Sequence, residues 1–261
     1  MNWITLFFGF CFGSIIGSFL NVCIYRIPQD KSIVTPSSHC PRCKTPIRFY
    51  DNIPIVSFIC LRGRCRGCQA PISLRYPLVE FLMGLFSVIL LLRYGISPLY
   101  LIYFAFFASL TLVSFIDLSH RIIPDVISLP GIIIGVVISF IHPQLAITNS
   151  LIGALLGGGS LYVVASVYHL VTKREGMGGG DIKLLAMIGA FIGWKGVLFT
   201  ILCSSFIGSV VGVALMLMFS QADSKYAVPF GPFLSLGAIM YVLWGEFLIN
   251  WYMEILRGVA A

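Results

Sequence analysis

Apolar residues run in blocks of roughly 20 along most of the chain, and one long polar interval, residues 26–77, interrupts them. About 20 apolar residues in a helix cross a bilayer core about 30 Å thick. The pattern predicts about eight spans, near 3–25, 78–92, 98–116, 125–141, 148–171, 182–194, 197–219 and 229–250. The second and sixth are short. A helix that begins at residue 181 behind a run of glycines can start inside a protein-lined cavity, where irregular backbone is tolerated. The expected fold is therefore an all-α polytopic membrane protein in three parts. These are a first transmembrane helix (1–25), a polar loop (26–77) and a transmembrane core (78–261).

Composition strengthens this reading. The chain has 261 residues, of which 58% are hydrophobic and 10% charged, and no soluble domain of that size can hide so much apolar surface. Residues 3–25 lack a basic leading region and a small-residue cleavage site, so they read as a retained span rather than a removed signal. The net charge of +7 is not a nucleic-acid signal, because the basic residues gather in the polar loop. Arg26, Lys31, Arg42, Lys44, Arg48, Arg62, Arg64, Arg66 and Arg75 there face only Asp30 and Asp51. By the positive-inside rule that loop is cytoplasmic and the N-terminus periplasmic. Alternation then puts the joints at 117–121 and 171–181 on the cytoplasmic side too. Lys173 and Arg174 agree with this, and Lys195 is a mild exception.

Two carboxylates consequently reach the same face of the membrane. Asp117 closes one apolar block, and Asp181 follows Gly176-Met177-Gly178-Gly179-Gly180 and opens another. A carboxylate at the bilayer centre costs roughly 2.5–3.5 kcal/mol on insertion scales, so it marks a functional site by default. Taken singly, Asp117 fits the border of a span and Asp181 fits a helix N-cap. Brought together they are the working parts of an aspartic protease, in which one carboxyl holds the proton while its neighbour is ionised. The glycines let a substrate strand approach closely. Asp125, after Pro124, reads as a plain helix cap. A proton-coupled transporter is the alternative, since carboxylates in broken helices also mark transport sites. It gives no reason for the cysteines of the loop.

Cys40-Pro41-Arg42-Cys43 and Cys65-Arg66-Gly67-Cys68 are two Cys-x-x-Cys pairs, a spacing that lets four sulfurs reach one tetrahedral ion. Disulfides and free thiols are the other readings. A cytoplasmic face disfavours disulfides, and a loop too short for a good core gains its folding energy from a metal. Zinc with four sulfurs has no open position and is structural. Cys60 reads as a small apolar filler. Gly153/Gly157 and Gly208/Gly212 fit close helix contacts. His39, His120, His142 and His169 show no ligand spacing.

The chain resembles the type IV prepilin peptidases. The resemblance rests on Gly17-Ser18-Phe19-Leu20-Asn21-Val22 ahead of Arg26-Ile27-Pro28, and on the two cysteine pairs. It continues through Arg75-Tyr76-Pro77-Leu78-Val79-Glu80, then Asp117 with Ile123-Pro124-Asp125. Gly178-Gly179-Gly180-Asp181 before Lys183-Leu184, and Pro229-Phe230-Gly231-Pro232, complete it. It implies a bifunctional enzyme of the bacterial inner membrane, serving type IV pilus biogenesis and type II secretion. Such an enzyme cleaves the basic leader of prepilins and pseudopilins, then methylates the new N-terminal amine with S-adenosylmethionine. The catalytic pair would be Asp117 and Asp181, the zinc ligands Cys40, Cys43, Cys65 and Cys68, and Gly63 a glycine linked to methylation.

Overall fold

The computed structural model describes residues 2–141, 145–174, 178–218 and 228–259. Helices dominate, and among the described residues there is no strand, only two isolated antiparallel bridges in the polar loop. The chain divides into two compact units, Met1–Ile116 and Asp117–Ala261. Five helical segments are long and apolar enough to cross a membrane: Trp3–Gln29, Arg75–Tyr94, Pro98–His120, Ile147–Thr172 and Gly179–Met218. Asp125–Ile138 and Gly231–Gly245 are apolar but shorter. Large apolar side chains stand exposed along these helices, among them Phe7 and Phe8 in the first unit and Val163, Val167 and Val171 in the second. An apolar surface of that extent is stable against lipid rather than water. The protein is an all-helical polytopic membrane protein.

The first unit is built on α1 (Trp3–Arg26) and α3 (Arg75–Tyr94), with a short α2 (Val56–Cys60) in the loop between them and most of α4 (Pro98–His120). Gly9, Gly13 and Gly17 recur every fourth residue, so they lie on one face of α1. A Cβ on Gly13 would stand 2.9 Å from Gly84 Cα, and one on Gly17 2.7 Å from Glu80 Cα. Small residues thus let two backbones meet, as interfaces in lipid require. Ser87 adds a polar tie, its hydroxyl donating to Gly9 O at 2.7 Å.

The second unit contains α5 (Asp125–Ile138), α6 (Ile147–Thr172), α7 (Gly179–Met218) and α8 (Gly231–Val259). A Cβ on Gly153 would stand 2.9 Å from Gly193 Cα and one on Gly157 2.9 Å from Leu185 C, so this pair does mark close packing of α6 on α7. Gly208 and Gly212 do not: a Cβ on Gly208 would meet Phe233 at an ordinary 3.6 Å, and one on Gly212 would meet nothing described within 4 Å. Ser150 donates to Ala190 O at 2.7 Å across the α6–α7 contact. Within α7, Gly193 has φ 72° and ψ 178°, which breaks the helix. That break falls beside the expected joint between the sixth and seventh spans. The expected end of the seventh, Phe219, lies outside the described residues, as do Gly176, Met177 and His142.

Candidate active site

Asp117 sits three residues before the end of α4, yet it is only 6% exposed. Its Oδ2 accepts the backbone N–H of Gly231 at 3.0 Å. Gly231 opens α8, so the carboxylate meets the end of a helix whose backbone N–H groups have no intrahelical partner. Asp181 lies in the first turn of α7. Its Oδ1 is buried without a hydrogen-bond partner among the described residues, and Asp117 lies close enough to act on it electrostatically. Ile123 packs against both Gly180 and Gly231: a Cβ on Gly180 would stand 2.8 Å from Ile123 Cβ, and one on Gly231 3.3 Å from Ile123 Cδ1 and 2.6 Å from Asp117 Oδ2. The fold thus brings together the two carboxylates that the sequence singled out. A buried carboxylate oxygen without a partner costs free energy unless water or a substrate supplies the bond.

Asp125 is not the plain cap expected of it. Pro124 is the N-cap residue of α5 and no side chain caps that helix. Asp125 instead accepts from Lys183 Nζ at 2.7 and 2.8 Å. Lys183 lies two residues after Asp181 in sequence, so this exposed ion pair ties the start of α5 to the turn that carries Asp181. His120 is exposed at the end of α4.

The four loop cysteines converge in the first unit, their sulfurs within 4.8 Å of one another. Cys40 and Cys68 Sγ are 3.8 Å apart, and Cys43 and Cys65 Sγ 4.0 Å. A tetrahedron with Zn–S bonds of about 2.3 Å has edges of about 3.8 Å, so the donor set fits that ion. Each pair sits on the same kind of turn. Cys40 N donates to Thr45 O at 3.0 Å and Lys44 N to Cys40 O at 2.8 Å; Cys65 N donates to Ala70 O at 2.9 Å and Gln69 N to Cys65 O at 3.0 Å. The two bridges, His39 with Pro46 and Arg64 with Pro71, close both turns. The Thr45 hydroxyl and backbone N–H hold the Cys43 thiol down to about 6. Backbone N–H groups of Cys68 and Gly67 lower that of Cys65, whereas the Cys68 thiol, against the pull of the Ala70 backbone, is pushed up to about 11 by burial and by the neighbouring sulfurs. Thiolate, not thiol, is the form that ligates a metal. Cys60 is exposed at the end of α2, so it fills no core.

Gly63 lies in the turn that leads to the second cysteine pair, with φ +67°. A Cβ there would stand 3.0 Å from Phe58 Cζ. Any L side chain at this position is strained by its backbone and crowded by Phe58. Between this loop and helices α1 and α3 lies a cavity of about 1010 Å³. Two features of its wall escaped the sequence reading. Ile55 has φ 63° and ψ −51°, closed by a bond from Val56 N to Pro54 O at 2.6 Å. This is a γ-turn of the rare hand, a state that costs on the order of 1–3 kcal/mol and clusters at functional sites. Glu80, only 7% exposed, accepts the Ile55 N–H at 2.7 Å.

Comparison with known proteins shows the family. Residues 11–94 match the bacterial peptidase A24 N-terminal domain, and residues 104–213 match the type IV leader peptidase family. A prepilin leader peptidase/N-methyltransferase of Aeromonas salmonicida is 35% identical over 97% of this chain and 96% of its own length. The chain belongs to the type IV leader peptidase family. Relatives in this family that bear the same name include one from Pseudomonas putida, 36% identical over 94% of this chain and 92% of its own length. Another, from Myxococcus xanthus, is 42% identical over 84% of this chain and 65% of its own length. No solved structure matches the chain. The leader peptidase match covers both Asp117 and Asp181, and the N-terminal match covers all four loop cysteines, Gly63 and Glu80.

Proposed function

We propose that the protein cleaves the leader of prepilins and pseudopilins and then N-methylates the new N-terminal residue with S-adenosylmethionine. The observation that carries the reading is the meeting of Asp117 and Asp181, distant in sequence, beside the Gly231 N–H. One carboxylate of the pair takes a proton from water, which attacks the scissile carbonyl. The other, protonated, donates to the carbonyl oxygen and then to the leaving amine. The two titrate as a unit, so the roles belong to the pair. The Gly231 N–H fixes the Asp117 carboxylate without supplying a competing charge.

In this reading residues 1–25 form the first span, 26–77 a cytoplasmic zinc loop that serves methylation, and 78–261 the protease core. Cys40, Cys43, Cys65 and Cys68 hold one zinc ion as a closed, structural set. The enzyme lies in the bacterial inner membrane with a periplasmic N-terminus. A count of eight crossings is supported by the break at Gly193, which separates α7 into two helices, together with α1, α3, α4, α5, α6 and α8. The substrate's apolar helix lies in the bilayer and its charged leader in the cytoplasm.

The test is to incubate the purified enzyme with a prepilin and labelled methyl donor, and read product length and N-terminal mass together. A product shortened by the leader and heavier by one methyl is expected. An uncut substrate, with folded enzyme, refutes the reading.

A further inference from the structure

Two sequence motifs that the protease chemistry does not use dock against each other in the cavity wall. Gly17 of α1 lies against the Glu80 backbone of α3. One turn further along α1, Asn21 Nδ2 donates to Gly17 O at 3.3 Å and to Tyr76 O at 3.0 Å. Asn21 is 1% exposed, and its Oδ1 is buried with no partner among the described residues. Ser18 hydrogen-bonds the Glu80 carboxylate. Ser18, Asn21 and Glu80 all line the cavity.

Charge makes this cluster unusual. The charged groups that share the wall with Glu80 are Arg26, Arg42, Arg48, Arg66, Arg75 and Asp51. Among the described residues none of these cations forms an ion pair with Glu80. Arg26 donates instead to Ser32 O and Pro36 O, and Arg66 pairs with Asp51. His39, also in the wall, meets the Ser37 carbonyl. A buried carboxylate and an open amide oxygen without a cation are a receptor for one. Glu80 with its Ser18 partner, and the open Asn21 oxygen in the same wall, offer acceptors to a small cation with several N–H donors, which is a primary ammonium. Arg75, in that wall too, has a buried Nε with no partner among the described residues and does not pair with Glu80.

We infer that Glu80, with Ser18 and Asn21, binds the N-terminal ammonium of the cleaved substrate and takes a proton from it. The inference rests on the methylation reading above and assigns a residue to it. An ammonium has no lone pair and cannot be methylated. Its N–H proton passes to a Glu80 oxygen, and the freed pair forms the new N–C bond while the donor's S–C bond breaks and leaves its electrons on sulfur. The surplus proton then returns from Glu80 to solvent. The strained turn at Ile55, whose N–H holds Glu80 Oε2, aims the carboxylate.

The experiment uses full-length enzyme, an already cleaved pilin and labelled S-adenosylmethionine, from pH 6 to 9. Glu80→Gln keeps an oxygen for the Ile55 N–H and removes the base. It should hold its zinc and bind the donor as the wild type does, yet methylate at least ~100-fold more slowly at pH 7, a size usual for loss of a general base. Its rate should then climb about tenfold per pH unit until the amine deprotonates unaided near pH 8. The wild-type rate should stay nearly level, which tests the idea even if the variant misfolds: a wild-type rate rising tenfold per unit from pH 6 to 8 overturns it. So does a variant that matches wild type. Loss of donor binding in the variant means that Glu80 holds the donor's own amino group, and the acceptor assignment falls. A wild-type enzyme that transfers no label overturns the methylation reading itself, and this inference with it.

Discussion

Asp117 and Asp181 stand on helices that long-range packing brings together, whereas the four loop cysteines stand on two short turns shaped by bonds within each turn. The carboxylates are embedded in a frame that does not depend on their chemistry: backbone-to-backbone contacts at Gly153 and Gly157 hold α6 on α7 whatever occupies position 181. The cysteines have no such frame. Residues 30–55 of the loop bury little apolar surface, and its visible order rests on turns; in the proposed reading a metal joins them. Activity and stability should therefore separate between the two sites.

The largest effect tests the embedded site. Asp117→Asn and Asp181→Asn should each reduce cleavage by at least about 10²–10⁴-fold, because each removes an acid–base partner, while the melting temperature of the purified protein stays within a few degrees. Either variant cutting prepilin at near wild-type rate would break the two-carboxylate mechanism.

The reverse pattern is expected at the cysteines. The native protein should carry about one zinc per chain, since one tetrahedral site uses four sulfurs, and Cys40→Ser should carry almost none. Protease digestion of the folded variant should then cut within residues 30–75 while the spans survive. Zinc content unchanged in Cys40→Ser would remove the cluster from the metal reading.

A finer test titrates the cluster. The Cys43 thiol, held down to about 6 by Thr45, is ionised at neutral pH. A lowered value means that the ligating form persists above that pH and is lost as pH falls through it. Thr45→Val removes the hydroxyl, so the thiol rises and the window of zinc loss moves to higher pH. Competition with a chromophoric chelator should show affinity falling several-fold at pH 6 and little at pH 8. An equal change at both would point to altered shape rather than altered ionisation.

The smallest effect concerns Asp125. Asp125→Asn loosens an exposed ion pair with Lys183, worth about 0.2–1 kcal/mol. Cleavage should drop only a few-fold, measured as kcat/KM on the same prepilin. A loss as deep as that of Asp181→Asn would make Asp125 part of the chemistry.

The residues of both candidate sites were legible in the sequence because they are rare in their settings. A carboxylate in an apolar block and cysteines two apart announce themselves without a fold. What stayed hidden depends on neighbours brought together by packing. Asp125 looked like a cap because Pro124 precedes it; only the fold brings Lys183 to it. Glu80 and Asn21 belonged to motifs with no chemical signature of their own, since their meaning comes from the contact of α1 with α3. The fourfold spacing of Gly9, Gly13 and Gly17 is a close-packing pattern in the sequence as well, but only the fold shows that α3 is its partner.

The bond from Gly231 to Asp117 limits what position 231 of this chain can hold. The donor belongs to the main chain, so ordinary side-chain replacement cannot take it away. The accepting oxygen would stand only 2.6 Å from a Cβ at that position, so a side chain added there must push the Asp117 carboxylate aside. Anything larger than glycine at position 231 therefore acts directly on the carboxylate.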